Sequence, residues 1–519
     1  MTDFYLFFNM QEPKKMDRRN FIYLGLGAAV VIVGGAAVYL ATQGPVTTTA
    51  TTTATTTSTT TAAPTTVTST ATTTATTTAT TTATTTATTT ASATTSQLLL
   101  PIDASSFKKA PSHVILDFYT DKGPLGNLWK DSAGIGNPSF TKATDIEINT
   151  VNFSTTDVFQ AAFYQVAPTA NEPPLFNWWN GSQLQTIAKR GYCADVTSVW
   201  DAHKDEYPAS LRNLFAVDGV PYGVSVGAGT FWVCWYRPQL FKQLSLNVPT
   251  TWDEFMTVAR ALKSANVKFP IYCPFVEWTG FIWLEEFLIR QDPDFYERLM
   301  VGQQKWTDDV VVNALKTFQG MVNEGLFGPV AEGAAPGNSF YPPPPPFPGW
   351  WKDNNVGMAQ CGDWLNVVFS QAGFTPLVDT DFFILPDLNP KVGPIIITEA
   401  GPWCVGANSA NKDWAMEYMD FMLSPGPQAY LNLQVQPIGS DNSKIPAELQ
   451  PLIKRKVHEF IAKADYRFMT RIWEATQPEI IIPISTLMDK LAFNPDQLDS
   501  INQEMETVAS TYWAAHPPS

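Results

Sequence analysis

The sequence predicts an α/β fold preceded by one apolar segment and a long polar stalk, and three observations carry that expectation. From about residue 112 onward, short apolar or β-branched runs alternate with helical patterns. Before them, Phe21 to Ala41 holds no charged side chain. Between the two, Thr47 to Thr95 is almost wholly threonine, with alanine at every fourth position in its later part.

The apolar segment comes first. Its 21 residues, at about 1.5 Å each, match the thickness of a bilayer core. Lys14, Lys15, Arg18 and Arg19 precede it, and no lysine or arginine follows until Lys108. That bias places residues 1–20, with a twin-arginine-like signature, in the cytoplasm and the rest of the chain outside. Residues 21–41 are expected to anchor the chain in the membrane, a cleaved signal peptide being the competing reading. Residues 42–111 can build no core and read as a stalk whose hydroxyls suit O-glycosylation.

The 519 residues suffice for two or three domains, and 45% of them are hydrophobic. A net charge of −15 argues against nucleic acid as a partner, since a phosphate backbone needs a basic face. Charged residues make up 16% and aromatic ones 13%, with 17 tryptophans. That balance suits a neutral, ring-shaped ligand, because an indole face packs on the C–H face of a sugar. The competing reading places most of these rings in the core. Cys193, Cys234, Cys273, Cys361 and Cys404 are widely spaced without a C-x-x-C, so neither a metal nor a cofactor is expected. An odd count leaves at least one thiol free, and the sequence does not pair the others.

The folded part opens at Ser112. His113 to Tyr119 reads as a strand and Asp157 to Tyr164 as a helix. Asp218-Gly219 between Val217 and Val220 reads as a hairpin turn, because both residues tolerate positive φ. Tyr222 to Val226 alternates and reads as a strand; Phe231 to Tyr236 reads as a second one, buried on both faces. Thr251 is the expected N-cap of a helix, with Glu254 at the capping-box position. The five prolines between Tyr341 and Phe347 predict a polyproline II loop. Helices are expected at Lys412–Leu423 and from Glu448 to Trp513.

Asp218-Gly219, Tyr222-Gly223-Val224, Trp235-Tyr236, Phe241 and Pro249-Thr250-Thr251-Trp252-Asp253-Glu254-Phe255 stand in an order and spacing that mean more than any one of them. Together they resemble the extracellular sugar-binding proteins of ABC transporters, the clade of the maltose- and glucose-binding receptors. Gly357 to Trp364 resembles a second segment of that family, and the likeness runs more weakly from Val114 to Ile445. Ser225 and Arg237 depart from its pattern. The resemblance implies a two-lobed periplasmic-binding-protein-like fold with three interdomain crossings. Lobe 1 would comprise 112–226 and 396–436, and lobe 2 would comprise 227–395 and 437–519. The first hinge would lie between Val224 and Phe231. The implied function is capture of a mono- or oligosaccharide between the lobes and delivery to permease subunits of an ABC transporter, without chemistry.

Ligands of open α/β sheets sit beyond the C-terminal strand ends, which makes Tyr119 and Asp121 candidates. From the resemblance come Trp178, Trp179 and Asn180 after a strand end, Thr230 and Trp232 after the first crossing, and Glu277 and Trp278 in a loop. Asp363, Trp364 and Trp403 complete the set. Asp363 leads it, because an ionised carboxylate accepts from two adjacent hydroxyls; capping a helix is its competing role. Asn152 and Asn180 also begin glycosylation sequons, and a glycan on Asn180 competes with its place in the cleft. The alternative function is a carbohydrate-active enzyme or a surface glycan-binding protein without a transporter. An enzyme would need a carboxylate pair about 5–10 Å apart. Glu285-Glu286 and Asp379 with Asp381 are available, but no catalytic motif frames them.

Overall fold

The computed structural model describes residues 100–122, 138–225, 227, 229–335, 338, 340, 346–435 and 438–517. The expected anchor at 21–41, and the stalk as far as residue 99, lie outside the described residues. The chain divides into two units, Met1–Ala91 and Ser92–Ser519, and every described residue belongs to the second.

Twelve strands build the described unit. They are β1 Val114–Thr120, β2 Ile146–Asn152, β3 Leu175–Asn177, β4 Ala216–Val217, β5 Val220–Pro221, β6 Thr230–Tyr236, β7 Phe269–Tyr272, β8 Val356–Gly362, β9 Asp381–Phe383, β10 Ile395–Glu399, β11 Trp403–Val405 and β12 Arg467–Thr470. One sheet has the order β11-β3-β1-β2; the other runs β12-β10-β6-β8-β7, with β9 also paired to β6. Helices pack around both sheets, giving a mixed α/β fold of two lobes. β1 is parallel to β2 and β3, the arrangement that brings Thr120 and Asn177 out at one end of the first sheet. β8 is buried along its whole length, as a strand covered on both faces must be.

Local chemistry sets several elements as expected. Asp218 and Gly219 take φ of 51° and 84° and close the β4–β5 hairpin. Thr251 caps the helix Trp252–Ser264: its hydroxyl accepts from the Glu254 N–H at 3.3 Å, and the Glu254 carboxylate accepts from the Thr251 N–H at 3.2 Å. The helix at Lys412–Leu423 forms over the expected residues.

Three expectations differ. Tyr222 to Ser225, the described part of the strand expected at Tyr222 to Val226, is not a strand, because its backbone groups bond elsewhere. The Tyr222 N–H donates to Phe215, and the Gly223 carbonyl accepts from the Trp200 indole at 3.0 Å. Only Val224 makes a bridge, to Trp403. The proline run does not stay extended to its end: a helix, Pro346–Lys352, begins on the last proline, and Tyr341 to Pro345 lie outside the described residues. Proline fits a first helical turn, and Phe347 and Trp351, both fully buried with rings 5.7 Å apart, hold that turn to the core. Among the helices after Glu448, β12 intervenes and joins the second sheet parallel to β10.

The chain passes between the sheets along two antiparallel tracks. Val224 pairs with Trp403 at the first sheet, and Thr230 pairs with Glu399 at the second. The return expected from residue 396 thus follows Glu399, since β10 still belongs to the second sheet. A third segment lies against these tracks: a Cβ on Gly227 would stand 2.7 Å from Ile438, and the Gly229 N–H donates to Asp441 at 3.0 Å. Gly223 is the tightest point, where a Cβ would meet Pro402 at 2.5 Å. Gly223→Ala should therefore destabilise the fold by about 1–3 kcal/mol through overpacking. Gly229→Ala, with nothing within 4 Å of its Cβ position, should change stability by less than about 0.5 kcal/mol. Denaturant midpoints of the two variants check the contrast.

Candidate functional site

The C-terminal ends of β1 and β3 carry the first group of expected residues. Asp121 is held by its own lobe: its carboxylate accepts from Thr156 at 2.7 Å and Asn177 at 3.1 Å, and pairs with Lys122 at 3.3 Å. Tyr119, half-buried, packs on Phe153 at 5.1 Å, and burial pushes its hydroxyl above the usual tyrosine range. Trp178 is a core ring, fully buried between Phe159 and Phe163, with its indole N–H donating to Gln183. Trp179 lies 5.3 Å from Trp178 and faces outward to Trp473 at 5.8 Å, with the Lys122 ammonium 5.0 Å from its ring. Asn180 is 7% exposed, so its sequon has no room for a glycan in this fold. Asn152 is exposed.

After Asn180 the backbone docks on the C-terminal region. Gly181 takes a φ of 62°, and a Cβ there would stand 2.2 Å from the Glu474 carbonyl. The Ser182 hydroxyl donates to the carbonyls of Glu474 and Thr476, each at 2.6 Å, and the Gln183 amide donates to Trp473 at 3.3 Å. The first sheet's helix Ser182–Lys189 is thereby fixed against the segment that follows β12.

That segment begins with Arg471, the centre of the second group. Its buried guanidinium lies 4.0 Å from the Trp232 ring, 5.2 Å from Phe281 and 5.7 Å from Trp278. It pairs with Glu399, whose carboxylate also accepts from the Trp232 indole at 2.9 Å, and with Glu285 at 3.6 Å. Glu285 accepts from the Ile472 N–H at 3.0 Å. Burial pushes Glu285 up to about 8, against the pull of Arg471, and pushes Glu474 well above the carboxylate range. The guanidinium itself is held more firmly protonated by Glu399 and Glu285. Five buried polar atoms in this segment lack a hydrogen-bond partner: Arg471 Nε and Nη2, Trp473 Nε1, Glu474 Oε2 and Thr476 Oγ1.

Rings connect the two groups. Trp473 stacks on Phe281 at 5.7 Å, Trp232 lies 6.4 Å from Trp278, and Trp278 lies 6.2 Å from Trp364. From Trp179 to Trp364 an aromatic series therefore spans both sheets, interrupted only by the guanidinium of Arg471. Trp278 is the half-buried member, on the one-turn helix Glu277–Thr279; the other tryptophans of the series are buried. Thr230 donates to the Glu399 carbonyl at 3.1 Å, beside the series, and Trp403 is a core ring 4.6 Å from Phe118.

Asp363 behaves unlike its expected role. Both its oxygens are engaged inside the protein, one accepting from the Phe231 N–H at 3.3 Å and one from Lys454 at 2.8 Å. Lys454 also donates to the Gly229 carbonyl, so the pair ties the first track to the helix Leu452–Ile461. Asp363 does not cap a helix either, since the helix Leu365–Gln371 starts without a side-chain cap. Sequence reasoning missed Arg471, Trp473, Glu474, Phe281 and Glu399. The signal for one partner stood in plain view: Glu285 and Glu286 interrupt the apolar run Ile282 to Ile289, where a charge needs a buried counterpart.

Residues 122–429 match the family model of bacterial extracellular solute-binding proteins. The chain is 27% identical over 188 residues to the osmoprotective compounds-binding protein GgtB of Synechocystis, covering 34% of this chain and 44% of that protein. It is 27% identical over 140 residues to an uncharacterized ABC transporter extracellular-binding protein of Pyrococcus horikoshii, covering 26% of this chain and 32% of that one. The matches thus span less than half the length of these relatives. Among solved structures, the bacterial solute receptor AcbH, described as preferring β-D-galactopyranose, superposes with a TM-score of 0.63 at 18% identity, over 77% of this chain and all of AcbH. RafE in complex with raffinose gives 0.60 at 16%, over 76% and 99%. A chitin oligosaccharide binding protein gives 0.60 at 20%, over 75% and 93%. At these identities the likeness is one of fold.

Two outcomes are expected of the buried charges. A carboxyl raised to about 8 from 4.5 keeps its proton in the folded chain after the unfolded chain has lost it. The stability it contributes is full below about pH 4.5 and is lost as pH rises toward 8, by at most about 1.4 kcal/mol per pH unit. Glu285→Gln should flatten that decline between pH 5 and 8, as read from unfolding midpoints; equal slopes for both proteins would remove Glu285 as its source. Asp363→Ala should destabilise the fold by about 3–5 kcal/mol, because Lys454 is left buried and unpaired. The double variant D363L/K454M should recover most of that loss in the same urea titration.

Proposed function

This chain belongs to the bacterial extracellular solute-binding proteins, and we propose that it is a receptor for a neutral sugar, which it holds between its lobes. The observation that carries this reading is the aromatic series from Trp179 to Trp364, with half-buried Trp278 within it. A pyranose ring offers an apolar C–H face that an indole covers well, and a belt of hydroxyls that both donate and accept. Arg471 Nη2 and Trp473 Nε1 are donors and Glu474 Oε2 an acceptor, all without a partner at the junction of the lobes. The sugars named for AcbH, RafE and the chitin oligosaccharide binding protein agree with this class of ligand.

The two antiparallel tracks, 225–229 and 400–402, are the hinge of this receptor, with 436–440 as the third crossing. Opening rotates the second sheet away and uncovers the rings; closing on the ligand makes the surface that a membrane permease of an ABC transporter reads. Residues 21–41 hold the receptor at the outer face of the membrane and the threonine-rich segment sets its reach. Among the described residues no helix is long and apolar enough to cross a membrane. Tyr119 and Thr230 border the sugar, whereas Asp121, Trp178, Asp363 and Trp403 support the walls. No catalytic step belongs to this reading: Glu285 lies buried beside Arg471, 3.6 Å away.

Titration of the full chain with neutral mono- and oligosaccharides should give a saturable change in tryptophan fluorescence. Trp278→Ala should weaken the best ligand by about tenfold, roughly 1–2 kcal/mol of lost stacking and apolar contact. Unchanged affinity in that variant would take the site away from the aromatic series, and steady release of reducing ends from a glycan would replace the receptor by an enzyme.

A further inference from the structure

The five cysteines are all buried free thiols, and strand register decides which of them can meet. Across β6 and β8, Cys361 stands opposite Val233 and Cys234 opposite Gln360. Successive residues of a strand face opposite ways, so the Cys234 and Cys361 side chains leave the sheet on different sides. Cys273 donates to the Thr279 carbonyl at 3.5 Å.

Cys193 is placed differently. It forms an isolated antiparallel bridge with Gly406, and the Ala194 N–H donates to the Val405 carbonyl at 2.8 Å. That bond makes Cys193 and Gly406 a pair of the closely spaced, non-hydrogen-bonded kind. Cys404, two residues before Gly406, projects from the same face, and the right-handed twist of paired strands draws one diagonal of such a pair together. Gly406 has no side chain to stand between them; a Cβ there would already meet the Pro173 carbonyl at 2.4 Å. Burial first and the neighbouring Cys404 side chain second push the Cys193 thiol up, in a site where Cys193 is 4% and Cys404 0% exposed.

We propose that Cys193 and Cys404 are joined by a disulfide as the chain folds, and that Cys234, Cys273 and Cys361 stay thiols. Disulfides persist outside the cell, so formation in the cell rests on the extracellular place of the family. The oxidant is a disulfide, either a small one such as oxidised glutathione or an exposed one on a protein oxidase. One cysteine thiolate attacks it and displaces the first leaving thiolate, giving a mixed disulfide. The second cysteine thiolate then attacks the bound cysteine sulfur and displaces the other. The exogenous S–S bond is broken and reduced to two thiols, which take up the two cysteine protons, and the Cys193–Cys404 bond is formed. The exchange happens before the pair is buried. The bond would close a loop between residues 211 positions apart in sequence, within which both tracks between the sheets lie. Long loops gain most from closure in the chain-entropy account. Because Cys193 and Cys404 both belong to the first sheet's lobe, the bond fixes β11 there without tying the lobes together.

The test counts thiols. The full chain is exported from cells and, in a second arm, purified chain is refolded in a mixture of oxidised and reduced glutathione. Both are unfolded in iodoacetamide and weighed, and their peptides are mapped without reduction. The expected result is three alkylated cysteines, a Cys193–Cys404 cross-linked peptide, and five alkylated cysteines only after reduction. Wild type should melt several degrees higher oxidised than reduced, and Cys404→Ser should show no such difference. Three adducts in the refolded arm alone would support the pairing and count against the extracellular location. Five adducts in both arms, or a cross-link to any other cysteine, would overturn the proposal.

Discussion

A buried guanidinium has to be matched on every side, and Arg471 is the group around which the second lobe meets that demand. Water no longer solvates it, so carboxylates must supply acceptors and rings must supply polarizable faces. Glu399 arrives from the end of β10, Glu285 from the helix Ile282–Gln291, and the ring faces from Trp232, Phe281 and Trp278. Phe281 caps the helix that carries Glu285, and the other residues stand on separate elements. Removing the charge centre would leave Glu399 without its cation and Glu285 without the charge that pulls its carboxyl down against burial. The arrangement also explains why β12 joins the second sheet at all. It delivers Arg471 to the centre of the ring series and, one step later, sets Trp473 and Glu474 against the helix Ser182–Lys189 of the first lobe.

The connection between lobes has a second anchor with a different character. Lys454 and Asp363 form a dry pair that also holds the Gly229 carbonyl and the Phe231 N–H. These backbone groups flank the first track where it enters β6. The pair thus fixes one end of the track, while Gly223 against Pro402 fixes the other by shape. Between them, Gly227 lets Ile438 approach. In the proposed receptor, these two fixed ends would bound the stretch about which one lobe rotates against the other.

Much of this was legible in the residues and much was not, and the division follows distance along the chain. The Asp218-Gly219 turn and the Thr251–Glu254 cap depend on neighbours within four residues, and both formed as read. The order of motifs from Asp218 to Phe255 was likewise sufficient for the family. Tyr222 to Ser225 failed as a strand because the bonds that divert it come from Phe215 and Trp200, whose positions only the fold decides. Asp363 was singled out for its chemistry, yet its partner Lys454 lies 91 residues away and nothing local announces the pair. Arg471 was invisible for the same reason: its counterparts are 72 and 186 positions upstream. Pro346 misled in the opposite direction, since five prolines predict extension while the last of them also suits a helix start.

The abundance of rings then takes on a particular meaning. Eleven of the 17 tryptophans are buried, and Trp178, Trp232, Trp235, Trp283, Trp306 and Trp351 fully so; most of the tryptophan content is core, as the plain reading of composition holds. The site is not a separate feature set upon that core but its edge. Trp179 leans on Trp178, Trp278 leans on Trp232, and each inner ring is locked by packing or by an indole hydrogen bond. In the proposed receptor, a ring supported in this way would lose little freedom on meeting a sugar, because its rotamer is already chosen. The acidic balance of the chain fits the same logic. Charges at the junction of the lobes are paired with Arg471 or hold their protons, which leaves a surface suited to neutral hydroxyls rather than to an anion.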